Sequence, residues 1–557
     1  MGKKHVSLLV ACLFAVGAMF SCPAEAALPP DAVKRTDPSV QLNRTREYME
    51  RMRVQEQIAE DEAARKAKIE DRSGKAGEEK KSEISFVLKE IRTDVSSVLL
   101  EEEIDELKGP YLNQDVTLKD LYALTEKINR KYEEKGYITC RAVLPPQTIH
   151  EGVVEIRLVE GKTGNIAVEG NRHTRDSYIK NRLPLKPGTI SGTRELTKAL
   201  QRFNGTNDTQ LHIVLQAGKE PGTTDYVILV GEPERNQTVS LYMDNAGYKT
   251  TGELREGIFY NYRSLTGRRD NLGLSYLRSR GSDAFGASYS IPLGRKGTRL
   301  DLSYNSNSTE IVKGGLEDLN VKGHGYSAGA TLRQPILIDE NKRMEAGLQF
   351  LHSRSKTDSH TINYTWVDDH TNRYIPYFSL INYGKSTVLY QKHSIEKGSW
   401  SGPGTGIADD YVLYNFNGIY QKRFKHGQMF QSRIEAQLAS RENIPSGERF
   451  YLGGIESVRG YEESYLSGDE GYRLSLQYQV PVSRDRKVQA FTFFDYGKVF
   501  GTGDNYEDSV LMSTGLGVTA SYKDITASVT LGVPLKRELN GEEVNRAHVN
   551  FTVYGVF

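Results

Sequence analysis

From Thr238 onward the chain alternates apolar and polar residues. "RLSLQYQV" sets Leu474, Leu476, Tyr478 and Val480 on one side and Arg473, Ser475, Gln477 and Gln479 on the other. "DITASVTLGV" sets Ile525, Ala527, Val529, Leu531 and Val533 opposite Thr526, Ser528 and Thr530, and "HVNFTVYGVF" alternates to Phe557. A period of two is the strand signal. The second face carries amides, hydroxyls and charges instead of another apolar layer, as in a barrel with lipid outside and a wet lumen. About sixteen such strands fit into residues 236–557, an even number within the range of bacterial outer-membrane barrels. The connections also sort by length. Leu293–Lys296, Gly384–Lys385, Lys425–Gln428 and Ser483–Asp485 are short, whereas Asn307–Val321, Thr357–Thr371, Gly398–Asp409 and Arg441–Asp469 are long. Short periplasmic turns and long external loops are the habit of these barrels. A soluble β-sandwich has no reason to sort its loops in this way.

Upstream the pattern changes. Ile84–Leu88 reads as a strand, and "TLKDLYALTEKINRKYEEKGY" places Leu118, Leu121, Leu124 and Ile128 on one helical face. "ITCRAVLPPQ" and "GVVEIRLVEG" are two further strands. The order then repeats: "GNIAVEGN" is a strand, "TRDSYIKNRL" and "TRELTKALQRFN" are helices, and "QLHIVLQAG" and "DYVILVGEP" are strands. Two α+β units of small-domain size follow, at 82–161 and 162–235.

Ahead of them, residues 27–81 hold a charged helix and a linker. "REYMERMRVQEQIAEDEAARKAKIE" lacks proline and glycine and carries the i,i+4 pairs Glu47/Arg51, Asp61/Arg65 and Glu62/Lys66. The predicted helix, about Arg44 to Arg72, has a thin apolar face (Leu42, Met49, Met52, Ile58). That suits a solvated helix, or one resting in a polar channel, better than a core element. Ser73–Gly77 reads as a flexible linker. At the start, Lys3-Lys4, the apolar run Leu8 to Phe20 and Ala24-Glu25-Ala26 have the layout of a secretory signal peptide cleaved after Ala26, spanning 1–26. The run is short for a membrane anchor, and Met19-Phe20-Ser21 ahead of Cys22 fit a lipoprotein signal poorly. The mature chain keeps Cys140 alone, so it forms no internal disulfide.

Composition adds exclusions. The formal net charge is +1 and the charged N-terminal helix is mixed in sign, so no nucleic-acid partner is implied. Mean hydropathy is −0.54, which a half-polar barrel strand readily produces. No phosphate loop, HExxH or nucleophile elbow is present, so no enzyme, cofactor or metal is expected. Asp368-Asp369-His370 hints at metal binding, but it falls within an expected external loop and lacks a partner set.

Several segments resemble a known family. "GYITCRAVLPPQTIHEGVVEIRLVEG" resembles the end of the first POTRA domain in two-partner secretion transporters of the FhaC/ShlB haemolysin-secretion type. "VRGY" (Val458, Arg459, Gly460, Tyr461) and "FTFFDYGKV" resemble two signatures of their barrels, shared in part with BamA-type assembly proteins. The resemblance spans essentially the whole mature chain. It implies a mainly β architecture: an N-terminal helix, two POTRA domains and a sixteen-stranded transmembrane β-barrel. It also implies a place in the bacterial outer membrane, with the POTRA domains in the periplasm. The implied cargo is an unfolded TpsA-type exoprotein: a haemolysin, an adhesin or a contact-dependent toxin. Outer-membrane lipid and the barrel-assembly machinery are the other implied partners, the latter reading a terminal strand that ends in Phe557. An assembly insertase is the alternative, although two POTRA units behind a helix fit it less well. A passive porin is a more distant one, because it has no use for the two signatures.

Two candidate sites follow. POTRA capture by β-augmentation needs an exposed strand edge. "QLHIVLQAG" (His212, Val214) and the helix bearing Leu196, Leu200 and Phe203 are expected as groove walls in the second POTRA unit, with ordinary core packing as the competing reading. In "VQAFTFFDYGKV", Gln489, Phe491, Phe493, Asp495 and Gly497 face the lumen by parity. Two aromatics and a carboxylate there lack an obvious partner. A loop folded inward supplies one. Arg459 then pairs with Asp495, Gly460 permits a tight turn, and Tyr461 packs near the phenylalanines. The resemblance implies the same docking of the VRGY loop.

Overall fold

A computed structural model describes residues 37–64, 69–72, 85–402, 409–501, 509–539 and 541–557. The expected export signal and the Ser73–Gly77 linker lie outside the described residues. Helix α1 spans Pro38–Ala64. Asp37 begins it, its Oδ1 accepting from the Ser39 amide at 2.9 Å with proline in the first helical position. The helix ends earlier than its charge pattern predicts. Ile69–Asp71 is instead a short strand, β1, on the second POTRA unit, a case of tertiary pairing overriding helix propensity.

The first POTRA unit comprises β2 (Ser85–Val87), β3 (Glu90–Thr93), α2 (Glu101–Lys108), β4 (Asp115–Thr117), α3 (Leu118–Glu134), β5 (Cys140–Val143) and β6 (Val153–Glu160). Thr117 and Asp120 cap α3 reciprocally, which fixes where it starts. Leu121, Leu124 and Ile128 then pack on Val154, Ile156 and Cys140 in one core. Burial and the nearby Glu160 charge push the Cys140 thiol up to about 12, so it stays a protonated core residue. Burial alone would raise the Glu160 carboxyl. It is nevertheless held below its ordinary value by donors from Ser96 Oγ (2.5 Å), Ser97 Oγ (2.7 Å), the Ser97 amide (3.0 Å) and Tyr132 (3.0 Å).

The second unit repeats the plan with β7 (Lys162–Glu169), α4 (Asp176–Lys180), α5 (Thr193–Asn204), β8 (Gln210–Ala217) and β9 (Thr223–Gly231). Its sheet order is β1-β8-β9-β7. The unit seats on the barrel through Asp208, which receives a bidentate pair from Arg269, and through Arg182, which donates to the Gly294 carbonyl at 2.6 Å. That contact marks the short-turn end of the barrel as the POTRA side.

The barrel begins with β10 (Gln237–Asp244), β11 (Arg255–Arg263), β12 (Asn271–Ser279), β13 (Ser282–Leu293) and β14 (Thr298–Glu310). It continues with β15 (Val321–Ile338), β16 (Lys342–Ser359), β17 (Tyr364–Tyr383), β18 (Thr387–Ser401), β19 (Asp409–Arg423) and β20 (Met429–Ala439). The next connection carries the small pair β21 (Phe450–Leu452) and β22 (Leu466–Gly468), followed by β23 (Glu470–Pro481), β24 (Val488–Phe500), β25 (Val510–Tyr522) and β26 (Ile525–Pro534). A second small pair, β27 (Glu538–Leu539) and β28 (Glu542–Glu543), precedes β29 (His548–Val556).

Sixteen antiparallel strands close when β29 pairs with β10, from Ser240↔Val556 to Asp244↔Thr552. Leu241, Ile258, Phe285, Leu302, Leu348, Ile395, Ile434, Phe494, Leu516 and Leu531 are exposed on the outside. Such an apolar belt is suited to lipid and costly in water. No helix among the described residues is long and apolar enough to cross a membrane. One loop expectation is corrected: Thr357–Thr371 is mostly strand, with β16 running to Ser359 and β17 starting at Tyr364. Asp368, Asp369 and His370 are therefore strand residues. Alternation hides where a long strand leaves the membrane, because hairpins continue beyond it with polar residues on both faces.

Candidate functional site

Residues 440–469, between β20 and β23, turn into the barrel instead of standing outside it. Their anchor is Arg459. Its Nε lies 2.7 Å from Asp495 Oδ2 and its Nη2 2.8 Å from Oδ1, while the Arg459 amide also donates to Oδ2 at 3.1 Å. Asp495 sits on the inner face of β24 and is fully buried; Arg459 is 8% exposed. A bidentate guanidinium–carboxylate pair fixes orientation as well as distance. Two groups on the neighbouring β23 complete it. Gln477 Oε1 accepts from Arg459 Nη1 at 2.8 Å, and Ser475 Oγ accepts from Nη2 at 3.0 Å and donates to Asp495 at 2.7 Å. Both lay on the polar face of "RLSLQYQV". Their parity was readable, but their link to Arg459 needed the β23–β24 register, in which Ser475 lies opposite Asp495.

The aromatics divide differently from expectation. The Arg459 guanidinium carbon lies 3.6 Å from the centroid of the Phe493 ring, a cation–π contact sheltered from bulk water. Phe491 and Phe493 lie over Gly517 and Gly515 on β25, where an added Cβ would come within 2.1 and 2.6 Å of the rings. Tyr461 does not pack on these phenylalanines. It is buried with Val458, Leu452, Leu466, Val499, Leu511, Leu539 and Val544, and its hydroxyl lies 2.9 Å from the Met512 carbonyl and 2.8 Å from that of Lys536. The last external loop, through Leu539 and Val544, thus closes over the inward one. Gly497 leaves room for Leu452 and Val458, each of which would crowd a Cβ there.

Gly460 has φ +96°, a left-handed conformation that glycine adopts without penalty. Its backbone rests on Gly532 of β26. Gly532 went unnoticed in the sequence, although a glycine inside a strand is a signal for close backbone approach.

Helix α1 runs through the lumen beside the inward loop. At roughly 40 Å it is long enough to run the depth of the barrel. Near its start, Gln41 Oε1 accepts from Ser282 (2.8 Å) and Asn307 (3.0 Å). Along its length Arg44 pairs with Glu463, Glu47 with Arg473 (3.4 Å), Glu50 with Lys392, and Arg51 with Glu456 (3.5 Å). At the POTRA end, Asp61 meets Arg343 (3.2 Å) and the Tyr383 hydroxyl (2.5 Å). Val54 and Ile58 make an apolar seat with Ile381, Tyr383, Tyr390 and Ile419. Beside the helix a cavity of about 660 Å³ remains.

The expected groove in the second POTRA unit is not an open one. Leu196, Leu200 and Phe203 are at most 2% exposed and belong to that unit's own core. Val214 is buried too, while His212 is partly exposed and lies 3.7 Å from Glu70. The edge of β8 is already paired with β1. No cluster of three or more metal-ligating side chains occurs among the described residues. Asp369 is buried on β17 and accepts from Trp400 Nε1 at 2.9 Å.

The geometry of the barrel, inward loop and lumen helix agrees with sequence comparison. The profile of the haemolysin secretion/activation protein ShlB/FhaC/HecB family matches residues 222–520, more than half the chain, and a ShlB-type POTRA domain profile matches 86–161. The chain belongs to this family. It is therefore an outer-membrane two-partner secretion transporter, with POTRA domains on the periplasmic side. The family exports large exoproteins. The heme/hemopexin transporter protein HuxB of Haemophilus influenzae is 24% identical over 481 residues, 81% of this transporter and 82% of HuxB. The outer membrane transporter CdiB of Dickeya dadantii is 23% identical over 475 residues, 81% of this chain and 83% of CdiB. The solved structure of CdiB from Escherichia coli superposes with a TM-score of 0.68 at 19% identity, covering 96% of this chain and all of that one; it shares the fold.

Proposed function

We propose that this transporter captures a TpsA-type haemolysin, adhesin or contact-dependent toxin in unfolded form through residues 82–235 and threads it outward through the barrel of residues 236–557. In this reading α1 closes the lumen at rest, and the Arg459–Asp495 pair fixes the inward loop against the wall so that a polar conduit exists once the helix has left. Folding of the cargo outside supplies the drive. The observation that carries the reading is the character of the helix seat. From Arg44 to Arg51 the helix is held by ion pairs, to Glu463 and Glu456 of the inward loop and to Arg473 and Lys392 of the barrel wall. The separated ions regain water and polar partners in a lumen lined by hydrophilic groups, so the element is removable in a way that a packed apolar core is not. Deleting residues 37–64 behind the export signal tests this in planar bilayers. Single-channel conductance should rise several-fold, and unchanged conductance from a well-folded barrel would refute a closing role.

A further inference from the structure

The edge of β8 would be the free edge of the second POTRA sheet, but the chain's own β1 lies on it. The pairing is parallel and short: Ile69↔Ile213, Glu70↔Val214 and Asp71↔Leu215, with the Arg72 amide donating to the Leu215 carbonyl at 2.9 Å. Ile69 packs against the core of the unit. Glu70 faces His212 at 3.7 Å and is hydrogen-bonded to Arg72 at 2.9 Å. Asp71 reaches across to the other POTRA unit, where Arg141 on β5 donates to it at 2.9 Å. One three-residue strand therefore engages both units.

We propose that the β8 edge is a strand-exchange site. Its resident is Ile69–Asp71, and its partner is an extended segment of the exoprotein that carries a β-branched apolar residue where Ile69 sits, followed by carboxylates that face His212 and Arg141. This rests on the reading of the POTRA pair as the cargo-binding part. The resident covers three of eight residues of β8. Its charged contacts are at least partly open to solvent, where ion pairs hold weakly. A longer strand makes more main-chain bonds along the same edge. The tether gives the resident an effective concentration on the order of millimolar, so a weak or mismatched peptide does not displace it. Occupancy by self thus sets a threshold for selection, which an open groove lacks.

Exchange also reaches the lumen. Five Cα steps separate Ala64, the last residue of α1, from Ile69, a reach of at most about 18 Å. Close to that helix end, Arg343 joins three parts: it pairs with Asp61 of α1, belongs to barrel strand β16, and donates to the carbonyl of Gly205, which ends α5 in the second POTRA unit. With β1 in place, the helix is moored to this POTRA unit at two points. Displacing β1 removes one of them, so arrival of the correct segment loosens the closing helix.

Two full-length variants test this. Glu70→Cys with Val214→Cys, in a Cys140→Ser background, ties β1 to its register partner. Secretion should fall at least tenfold when the pair is oxidised and recover on reduction, with heat-modifiable barrel unchanged. Ile69→Asp with Arg72→Pro should free the edge. A fluorescent peptide carrying residues 66–74 should then bind the purified variant in detergent at least tenfold more tightly than it binds the unaltered protein. Full secretion from the quantitatively oxidised pair, or equal peptide binding by the two proteins, overturns strand exchange. Removing Ile84 to Gly231, which takes out both POTRA units and the β8 edge with them, separates the premise. If that deletion abolishes secretion while the oxidised pair secretes normally, exchange is wrong and POTRA recognition stands. If the deletion secretes normally, recognition by the POTRA pair is itself wrong and exchange falls with it.

Discussion

Gly460 and Gly532 meet backbone to backbone. A Cβ on Gly532 would lie 2.5 Å from the Gly460 amide nitrogen, and one on Gly460 would lie 3.0 Å from the Gly532 carbonyl carbon. The inward loop is therefore pressed onto β26 at a point where neither chain tolerates a side chain. Gly532→Val should lift the loop and cut secretion about tenfold or more. Protease sensitivity of residues 440–469 should rise, with barrel abundance near normal because β26 keeps its ladder. Unaltered protease sensitivity would show that the contact does not hold the loop.

The Arg459–Asp495 pair is the electrostatic half of the same docking. Removing one partner strands a buried charge, which costs about 3–5 kcal/mol where water is excluded. Arg459→Ala and Asp495→Ala should each impair secretion, and the double variant should do little worse than either. A double-mutant cycle on secretion, with barrel levels controlled, measures the coupling. Additive losses would mean that the two residues act separately.

In the first POTRA unit, Glu160 contributes stability through its charged form. Its folded pKa is depressed, so the contribution is present above the ordinary carboxylate range and is lost as pH falls through the folded value. Hydrogen exchange on the full chain should show amides of β3, β5 and β6 opening more readily near pH 3 than at pH 6. Glu160→Gln should open them at pH 6 by roughly tenfold, the factor for about 1.4 kcal/mol, and should flatten the pH dependence. An unchanged pH profile in that variant would contradict the assignment.

The barrel closes on its last residue. Phe557 and Val239 exchange backbone hydrogen bonds of 2.8 and 2.9 Å, and the Phe557 ring is exposed on the lipid side with Val549, Phe551 and Val553. Removing Phe557 should reduce heat-modifiable barrel in outer-membrane fractions several-fold, through a weakened seam and through loss of the terminal aromatic expected to guide assembly. Normal levels would exclude both effects.

The barrel was legible because each strand repeats one simple alternation, and the same parity exposed the inner face of Phe491, Phe493 and Asp495 as unfinished without a partner. That is why the sequence alone pairs Arg459 with Asp495. Other features carry no such local signal. Three residues, Ile69–Asp71, are too few to show a period, and their strand state comes wholly from the β8 edge. Leu196, Leu200 and Phe203 look alike as groove wall or core, since both demand an apolar helix face. The strand state of Asp368–His370 was missed because hairpins that rise above the membrane lose their apolar face. Tyr461 was assigned to the wrong neighbours because its partners, the Met512 and Lys536 carbonyls, are backbone groups with no mark in the sequence.

In the proposed transport cycle α1 leaves the lumen before cargo passes. Pro38 at the head of the helix touches the barrel wall at Gly325, where an added Cβ would lie 2.8 Å from that of Pro38, close enough for a disulfide after a shift of about 1 Å. Pro38→Cys with Gly325→Cys, oxidised in the outer membrane, should hold conductance at its resting level and abolish secretion, and reduction of the same protein should restore both. Wild-type secretion from a barrel in which this disulfide is complete would contradict the account.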